Sequence, residues 1–387
     1  MGTPTALRCV ACGESPPDPA ALWCPACGPD GTLDVLYDLA AAGAALRRDL
    51  ADPDAPRDVW RYRALLPVRD DGPRPRLGLP PSPLVAVPPE RAPGGLRSLL
   101  VKDEGRNPTA SFKDRATCVA VARALERDSA GLLCASTGNA ASSLAGYCAA
   151  EGLRAVILVP ASAPAPKLAQ LLVYGAELVP VDGSYDDAFD LSLEAAPHLG
   201  LDLRSTGVNP YLGEGKKSCA LELCEQLSWH PPEVVAVSVG DGCILGGLAK
   251  GFRDLHGAGL IPHVPRLIGV QSAGSAACAR AWERGDDAPI AVEAQTVADS
   301  ISVDRPRDGR KALRAVRESG GRFVVVRDEE ILAAQRDLAR GCGVFAEPAG
   351  AASVAGLVAL VRDGLLDPAT PCLAVCTGSG LKDPQSA

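Results

Sequence analysis

From residue 98 onward the chain alternates short apolar stretches with longer helical ones, and this rhythm is the strongest constraint on its fold. Apolar runs that end in glycine-rich or polar loops recur, as in GLLCAST at 131–137, AVILVP at 155–160, VVAVSVGDG at 234–242 and PCLAVCTGSG at 371–380. Short strands that alternate with helices form parallel sheets covered on both faces. Ligands of such sheets bind at the carboxyl ends of the strands, where these loops fall.

The composition is that of a globular protein with more than one domain. The 387 residues are 47% hydrophobic and 22% charged, and domains of about 100–200 residues predict two of them with a small additional module. No apolar run reaches the ~18 residues that a membrane span needs. The net charge of −8 disfavours nucleic acid, whose phosphates are bound mainly by clustered Lys and Arg. We therefore expect neither a membrane nor a nucleic acid as a partner.

Two cysteine pairs near the N-terminus have the spacing of a zinc knuckle. Cys9 and Cys12 form the first pair, Cys24 and Cys27 form the second, and each pair is followed by glycine. Such pairs let four thiolates surround one tetrahedral zinc ion, which leaves no open position for a substrate, so the site is structural. A vestigial knuckle without metal is the alternative.

The remaining cysteines favour a cytoplasmic protein. Of the fourteen cysteines, four form the two pairs and the other ten stand singly, as Cys118, Cys134 and Cys148 do inside apolar segments. A single thiol in such a place packs as a small hydrophobic group, which suits a reducing compartment. The first residues also lack the basic stretch, apolar core and cleavage site of a secretion signal.

Three segments follow from these patterns. Residues 1–50 contain the cysteine pairs and are predicted to form a zinc-ribbon-like module. Residues 51–97 are rich in Pro, Asp and Arg, which predicts an arm that wraps a neighbouring domain. Residues 98–387 contain the alternating strands and helices, and they are predicted to form the main α/β region.

One lysine stands where a reactive amine is expected. The run NPTASFKDR at 107–115 is a turn that delivers Lys113 to the start of a helix. A desolvated lysine can act as a Schiff-base nucleophile. Taken alone, the stretch favours an exposed lysine at a helix start, since most lysines are exposed, and the motifs below reverse that preference.

Three further loops follow apolar strands. STGNAAS at 136–142 offers hydroxyls and an amide at a helix start, and GDGCILGG at 240–247 offers backbone amides and a helix dipole, a combination that binds phosphate. CTGSGLKDP at 376–384 places hydroxyls where the last strand ends. Each loop alone is also compatible with an ordinary helix cap or turn.

Together these motifs resemble the threonine-synthase family, within the tryptophan-synthase-β-like pyridoxal-phosphate enzymes. The resemblance spans nearly the whole chain, from the cysteine pairs to TGSGLKDP. It implies an α/β protein of fold type II for pyridoxal-phosphate enzymes, with two three-layer α/β/α domains, parallel-rich sheets and an N-terminal zinc-ribbon-like knuckle. Within the catalytic region at 98–387 it implies a smaller subdomain at about 131–210, inserted in the larger cofactor-binding domain.

The resemblance also implies roles for individual residues. Lys113 is similar to the Schiff-base lysine, which is also the catalytic base, and Asn139 to the partner of the cofactor's ring hydroxyl. Thr377 is similar to the hydroxyl that meets the pyridine nitrogen. The loop similar to the one that holds the cofactor's phosphate comprises Gly240, Asp241, Gly242, Cys243 and Ile244.

The implied reaction converts O-phospho-L-homoserine and water into L-threonine and phosphate. The substrate's carboxylate is expected on the turn with Ser136, Thr137 and Ala140, because amides and hydroxyls at a helix start suit an anion. The family often has arginine where this chain has Leu212, and a Gly-Lys pair near the run at 160–167 is absent. Phosphate-binding charge is therefore expected from the three remaining candidates, Arg115, Lys216 and Lys217. A homodimer is a further expectation from the resemblance.

Other reactions of the same class remain open. They are β-elimination from serine, threonine or diaminopropionate, and β-replacement by a sulfur or nitrogen nucleophile. A catalytically silent binding protein is a third possibility, which the combination of Lys113, Asn139 and Thr377 disfavours. A dinucleotide-binding dehydrogenase is excluded because no GxGxxG follows the first strand with an acidic residue about 20 positions later.

Overall fold

The structure is a computed structural model that describes residues 4–205 and 207–386. The strands are β1 (Ala6–Cys9), β2 (Leu33–Leu36), β3 (Leu84–Val87), β4 (Leu99–Asp103), β5 (Gly131–Ala135), β6 (Arg154–Pro160), β7 (Glu177–Val181), β8 (Asp202–Leu203), β9 (Val234–Ser238), β10 (Arg266–Ser272), β11 (Arg322–Val326) and β12 (Cys372–Cys376). The α-helices are α1 (Leu39–Ala51), α2 (Lys113–Leu125), α3 (Asn139–Glu151), α4 (Ala165–Val173), α5 (Tyr185–Leu199), α6 (Pro210–Gln226), α7 (Cys243–Gly257), α8 (Ala277–Arg284), α9 (Gly309–Glu318), α10 (Asp328–Cys342) and α11 (Pro348–Arg362).

These elements form two compact units. The first unit comprises Met1–Pro80 and Lys113–Lys216, and the second comprises Pro81–Phe112 and Lys217–Ala387. The chain therefore passes between the units three times. One of these crossings is the peptide bond between Phe112 and Lys113.

The first unit is built on a parallel sheet of four strands in the order β7-β6-β5-β8. Every residue of β5 is buried, which explains its continuous apolar run, because a strand covered on both faces has no polar side. Val119, Leu144 and Ile157 belong to the core on one face, and Leu133 and Phe189 to the core on the other. Each such side chain stabilises the fold by about 1.5–3 kcal/mol when fully buried.

The N-terminal part of the first unit is a small β-hairpin module. β1 and β2 pair antiparallel, with Cys9 opposite Leu33. A small apolar cluster forms around Leu7, Leu33 and Val35 and includes two of the cysteines. Strands of four residues each make a hairpin that is marginal by itself, so this module depends on its neighbours and on its cysteines.

The second unit is built on a sheet of six strands in the order β11-β10-β9-β12-β4-β3. All pairs are parallel except β3 with β4. The apolar helix α11 packs along the sheet so closely that a Cβ on Gly356 would stand 2.3 Å from Val270 Cγ2. The carboxyl ends of β4, β9 and β12 thereby lead into the lysine turn, the glycine loop and the TGSG loop, respectively.

The mixed α/β architecture with parallel-rich sheets confirms the predicted fold class. The sequence analysis missed β1, β2, β3 and β8, which have two to four residues each and are too short for a periodic pattern. β3 lies inside the Pro-rich segment, as an edge strand between Pro83 and Pro88, where proline is tolerated. Among the described residues, no helix is both long and apolar enough to cross a membrane.

Candidate active site

Lys113 is the first residue of α2 and directly follows a strained turn in the second unit. Ala110, in that turn, has a φ of 65°, which is uncommon for a residue with a side chain and persists only where the surroundings enforce it. The Ala110 N–H donates to the carbonyl of Asn107 at 2.8 Å. The backbone is thus tightly turned just before the half-buried lysine.

A buried carboxylate holds this turn in place. Glu104 has no exposed surface, and its Oε2 accepts from Asn107 Nδ2 at 2.7 Å while its Oε1 accepts from Ser82 Oγ at 2.6 Å. Asn107 Nδ2 also donates to the carbonyl of Ser111 at 3.2 Å. The sequence analysis did not identify Glu104 as part of the site, although an acidic residue directly after an apolar strand was the available signal.

The TGSG loop pairs with the same turn inside the second unit. The Phe112 N–H donates to the Thr377 carbonyl at 2.8 Å, and the Ser379 N–H donates to the Ala110 carbonyl at 3.1 Å. Ser111 and Gly378 form an antiparallel bridge. The backbones of the lysine turn and the TGSG loop are therefore joined, although Ser111 and Gly378 are more than 260 residues apart in the sequence. Thr377 is 6% exposed.

Glu347 is a second buried carboxylate that the sequence analysis did not identify. It is 5% exposed and precedes α11, and its N–H donates to the Gly378 carbonyl at 3.0 Å. A Cβ at Gly378 would stand 2.6 Å from Glu347 Oε1, so any larger residue there would displace this carboxylate. Burial raises the pKa of the neighbouring Cys376 thiol well above its ordinary value, and the carboxylates of Asp103 and Glu347 add to this. Cys376 is therefore an inert thiol.

The glycine loop leads from β9 into α7 with an open helix start. Gly242 is the N-cap of α7, has a φ of 91° and makes no side-chain cap hydrogen bond. The first amides of a helix without such a cap bind anions. Asp241, which places a carboxylate in this loop, accepts through its Oδ1 from the Arg307 N–H at 3.3 Å. Its carbonyl accepts from the Asp308 N–H at 2.9 Å.

The STGN loop of the first unit has the same character. Asn139 begins α3 and is 8% exposed, and the N-cap Gly138 has no side-chain cap hydrogen bond. Ser136 Oγ accepts from the Gly138 N–H at 3.2 Å, which shapes the turn. No atom lies within 4 Å of the place where a Cβ on Gly138 would stand. With Thr137 and Ala140 half-buried beside it, this helix start is a second candidate anion site.

Arg204 supports the first turn of α2 within the first unit. Its side chain is buried, and its guanidinium donates to Thr117 Oγ1 at 3.2 Å and, at 3.5 Å, to the carbonyl of Lys113. Ser143 Oγ donates to the same hydroxyl at 2.8 Å. The sequence analysis missed Arg204, because nothing local distinguishes it from a surface arginine after a short strand.

The three cations predicted for the substrate's phosphate are all buried, with Arg115 and Lys217 0% exposed and Lys216 1% exposed. In the first unit, a Cβ on Gly215 would stand 2.3 Å from the carbonyl of Arg115, so α6 and α2 approach closely beside Lys216. In the second unit, Lys217 Nζ lies 2.8 Å from Asp254 Oδ2. Lys217 is thus a member of a buried ion cluster.

The four cysteines of the N-terminal module converge. The sulfurs of Cys9, Cys12, Cys24 and Cys27 all lie within 4.8 Å of one another, and Cys12 Sγ is 3.7 Å from Cys24 Sγ. A tetrahedron with zinc–sulfur bonds of ~2.3 Å has edges of ~3.8 Å, so the sulfurs are close to that arrangement. Burial opposes ionisation of Cys24, but hydrogen bonds from the amides of Cys27 and Ala26 lower its pKa to about 7.

Comparison with known proteins agrees with this geometry. The model of the family described as "Pyridoxal-phosphate dependent enzyme" matches residues 76–378. A threonine synthase of Methanocaldococcus jannaschii is 37% identical over 386 residues, which cover 98% of this chain and 93% of the relative. A threonine synthase of Methanosarcina acetivorans is 38% identical over 98% of this chain and 93% of its own. One of Mycobacterium leprae is 38% identical over 86% of this chain and 90% of its own.

Solved structures show the same fold at lower identity. The processed form of threonine deaminase isoform 2 from Solanum lycopersicum has a TM-score of 0.68 and 22% identity, covering 89% of this chain and 86% of its own. Diaminopropionate ammonia lyase from Escherichia coli has a TM-score of 0.69 and 18% identity, covering 90% of this chain and 92% of its own. At these identities the likeness establishes the architecture only.

Proposed function

Because this chain belongs to the pyridoxal-phosphate-dependent enzyme family, and within it to the threonine synthases, we propose that it converts O-phospho-L-homoserine and water into L-threonine and phosphate. It is a pyridoxal-phosphate-dependent lyase that acts on a small amino-acid substrate. The observation that supports the reaction best is the identity of 37–38% to two threonine synthases over 98% of the chain.

The residues at the strand ends fit the cofactor. The start of α7 has no side-chain cap, so its amides suit the cofactor's phosphate, and Lys113 stands half-buried at the start of α2. We assign the cofactor's remaining contacts to Asn139 and Thr377. When bound, pyridoxal phosphate holds the electron pair left by a removed proton. Thr377 is neutral, so it accompanies the pyridine nitrogen without adding charge.

In this proposal Lys113 carries the cofactor covalently and moves the protons. Its Nζ, once free, would take the proton from the substrate's Cα and pass it to C4′, so that it could then take one from Cβ as phosphate leaves from Cγ. The Cβ proton would go to Cγ, water would supply the hydroxyl at Cβ and a proton to the phosphate, and the first proton would return to Cα. A lysine suits this work because its four-carbon stem is flexible and its pKa falls on burial. Glu104 and Arg204 contribute by fixing the backbone on either side of this residue.

The substrate's carboxylate is assigned to the start of α3. Its amides are uncapped and the place beside Gly138 is open, with Ser136, Thr137 and Ala140 around it. For the substrate's phosphate, the candidates are the buried cations Arg115, Lys216 and Lys217, of which Lys217 lies 2.8 Å from Asp254 Oδ2. Leu212 is 1% exposed inside an apolar cluster and supplies no charge.

The reaction is tested by incubating the purified enzyme, loaded with pyridoxal phosphate, with O-phospho-L-homoserine. We expect phosphate and threonine to be released in equal amounts. Serine, threonine and diaminopropionate are assayed in parallel for keto-acid formation. Turnover of one of these with no release of phosphate from O-phospho-L-homoserine would retain the cofactor and refute the substrate.

We also propose that the four-cysteine module binds one structural zinc ion. The converging sulfurs support this, and four thiolates leave no position open for chemistry. The resemblance further supports a homodimer. The buried single cysteines support a cytoplasmic location.

Metal analysis checks the zinc site. We expect about one zinc per chain and a large loss in Cys12→Ser, because a chelate of three thiolates and a hydroxyl binds zinc far more weakly. Cys342→Ser is the matched control, since this half-buried thiol of α10 donates to the Leu338 carbonyl at 3.4 Å, and a hydroxyl can do the same. Equal zinc in Cys12→Ser and the native enzyme would contradict the proposal.

A substitution in the glycine loop tests the phosphate cradle. Gly242→Ala should weaken pyridoxal-phosphate binding about tenfold or more, because φ is 91° and the new Cβ would meet the Asp308 carbonyl at 2.7 Å. Gly285→Ala is the control, because its φ is 79° but no atom lies within 4 Å of the new Cβ. Cofactor titration followed by absorbance should show normal affinity for the control, and an equal loss in both variants would refute the loop assignment.

A further inference from the structure

Tyr211 connects the cysteine module to the start of α6. It is the second residue of α6 and is 7% exposed, and its ring belongs to the apolar cluster that contains Cys9 and Cys24. Its hydroxyl donates to the carbonyl of Pro19 at 3.2 Å. Pro19 lies in the loop between the two cysteine pairs, so one side chain contacts both the cysteine cluster and the loop that it closes.

The Tyr211 ring also contacts an arginine of α2 in the first unit. The Arg123 guanidinium, which projects from α2, stands 3.5 Å from the ring centroid. Arg123 also donates through NH1 to the carbonyl of Pro67 at 2.6 Å. A guanidinium held over an aromatic face is attracted by the ring's quadrupole. Tyr211 is therefore held both by the cysteine module and by α2, and the start of α6 is held with it.

A second contact holds the segment that leads into α6. Val208 is buried in an apolar cluster. Leu22 and Trp23, the two residues before Cys24, pack against the same cluster. Asn209 Nδ2 donates to the carbonyl of Leu203 at 2.8 Å, and Asn209 Oδ1 accepts from the Tyr211 N–H at 3.0 Å. Leu22 and Trp23 thus pack against the apolar cluster that contains Val208, while Tyr211 belongs to the cluster that contains the cysteines.

This segment leaves the sheet beside the candidate carboxylate site. β8 pairs in parallel with β5, and the Arg204 N–H donates to the carbonyl of Leu133. The loops after β5 and β8 therefore emerge at the same carboxyl edge of one sheet, where ligands of parallel sheets bind. The first loop contains Ser136 and Asn139, and the second leads to the helix with Lys216.

We propose that the cysteine module is a positioning device for the substrate site, and that Tyr211 is the positioning residue through which it acts. The metal-loaded module holds Pro19 and the cysteine cluster against Tyr211, and Tyr211 holds the start of α6. A hairpin of two four-residue strands is marginal by itself, and many small metal-binding modules fold only when the ion is bound, so removal of the ion should loosen this loop. The effect on substrate affinity rests on the proposed function.

The test combines Tyr211 variants with removal of the metal by a chelator from the enzyme loaded with pyridoxal phosphate. Tyr211→Ala should retain the cofactor's absorbance and kcat within about twofold, while KM for O-phospho-L-homoserine rises about tenfold, as loss of a buried anchor contact predicts. Tyr211→Phe keeps the ring and loses only the bond to Pro19, so it should restore most of the affinity. Tyr185→Phe, on the exposed Tyr185 of α5, is the matched control.

The decisive readout is whether the two perturbations combine. Chelation of the native enzyme should raise KM and speed amide hydrogen exchange in residues 203–216, and in Tyr211→Ala it should add little, because both act through one contact. Additive effects, or exchange in 203–216 that chelation leaves unchanged, would overturn the inference. A fall in kcat and cofactor content without a change in KM would also overturn it, since that pattern reports general destabilisation.

Hydrogen exchange needs no substrate, so this inference and the proposed reaction can fail separately. Suppose that O-phospho-L-homoserine is not turned over, but that chelation and Tyr211→Ala each speed exchange in 203–216 and together speed it no further. The reaction is then refuted and the positioning role stands. If threonine forms but hydrogen exchange in 203–216 does not respond to chelation, the proposed reaction stands and the positioning role is refuted.

Discussion

Lys113→Ala should abolish the visible absorbance of the bound cofactor and lower threonine formation by at least about 10³-fold. The loss is large because one amine both holds the cofactor and moves the protons, and a positioned acid–base group alone contributes about 10²–10⁴-fold. Since Lys113 is half-buried at a helix start, alanine should fold normally. Far-ultraviolet circular dichroism and the assay for phosphate and threonine check the two expectations.

Lys113→Arg is the matched variant for this prediction. It retains the positive charge and the long stem, but a guanidinium cannot act as the nucleophile or the base near neutral pH. We expect it to be as inactive as Lys113→Ala, which would attribute the effect to the amine. Substantial activity in either variant would refute the assignment of Lys113.

The sequence predicted the parts of the fold that are governed by local pattern. β5, β9 and β12 are buried along their whole length, so each appears in the sequence as an uninterrupted apolar run bounded by a glycine-rich loop. The helix at Lys113–Leu125 and the loops after these strands follow from the same pattern. In contrast, β8 has only two residues, and its place in the sheet is decided by pairing with β5, which no local pattern expresses.

The candidate site was predictable where a motif is contiguous and not where contacts are distant. STGN, GDGCI and the lysine turn stand out as written, and Asn139 and Gly242 begin or cap helices as expected. Glu104 is different, because its role depends on a bond to Ser82, 22 residues away. The φ of 65° at Ala110 likewise depends on pairing with the TGSG loop. Such features are determined by tertiary contacts.

Buried charge is the second feature that the sequence did not reveal. Lys102, the fourth of the five residues of β4, donates from Nζ to Glu222 Oε1 at 2.5 Å and to Gln226 Oε1 at 2.7 Å. Glu222 also accepts from the Ser82 N–H at 2.9 Å. A lysine in a strand ordinarily predicts an exposed position. Here the buried charge is tolerated because Lys102 Nζ has hydrogen-bond partners. These partners are distant in sequence, so no local pattern reveals them.

The cluster of Lys217, Lys250 and Asp254 is the strongest case. Asp254 Oδ2 accepts from Lys217 Nζ at 2.8 Å and from Lys250 Nζ at 2.7 Å. Burial opposes ionisation of the carboxyl, but the two ammonium groups outweigh it and lower the pKa of Asp254. A lowered pKa means that the stabilisation is complete above the unfolded value of ~3.9 and is lost as the pH falls through the folded value.

Asp254→Asn should therefore destabilise the protein by about 3–5 kcal/mol at pH 7, because two buried ammonium groups lose their counter-charge. The difference from the native enzyme should shrink as the pH falls below ~4, because Asp254 then takes up a proton on unfolding, and it should level off below the lowered pKa of the folded state. Lys250→Met is the matched control: it leaves Lys217 and Asp254 as a neutral pair and should cost only about 1 kcal/mol. Urea unfolding of both variants measures this. If Asp254→Asn and Lys250→Met were equally mild, the cluster would contribute little to stability, and the prediction would be wrong.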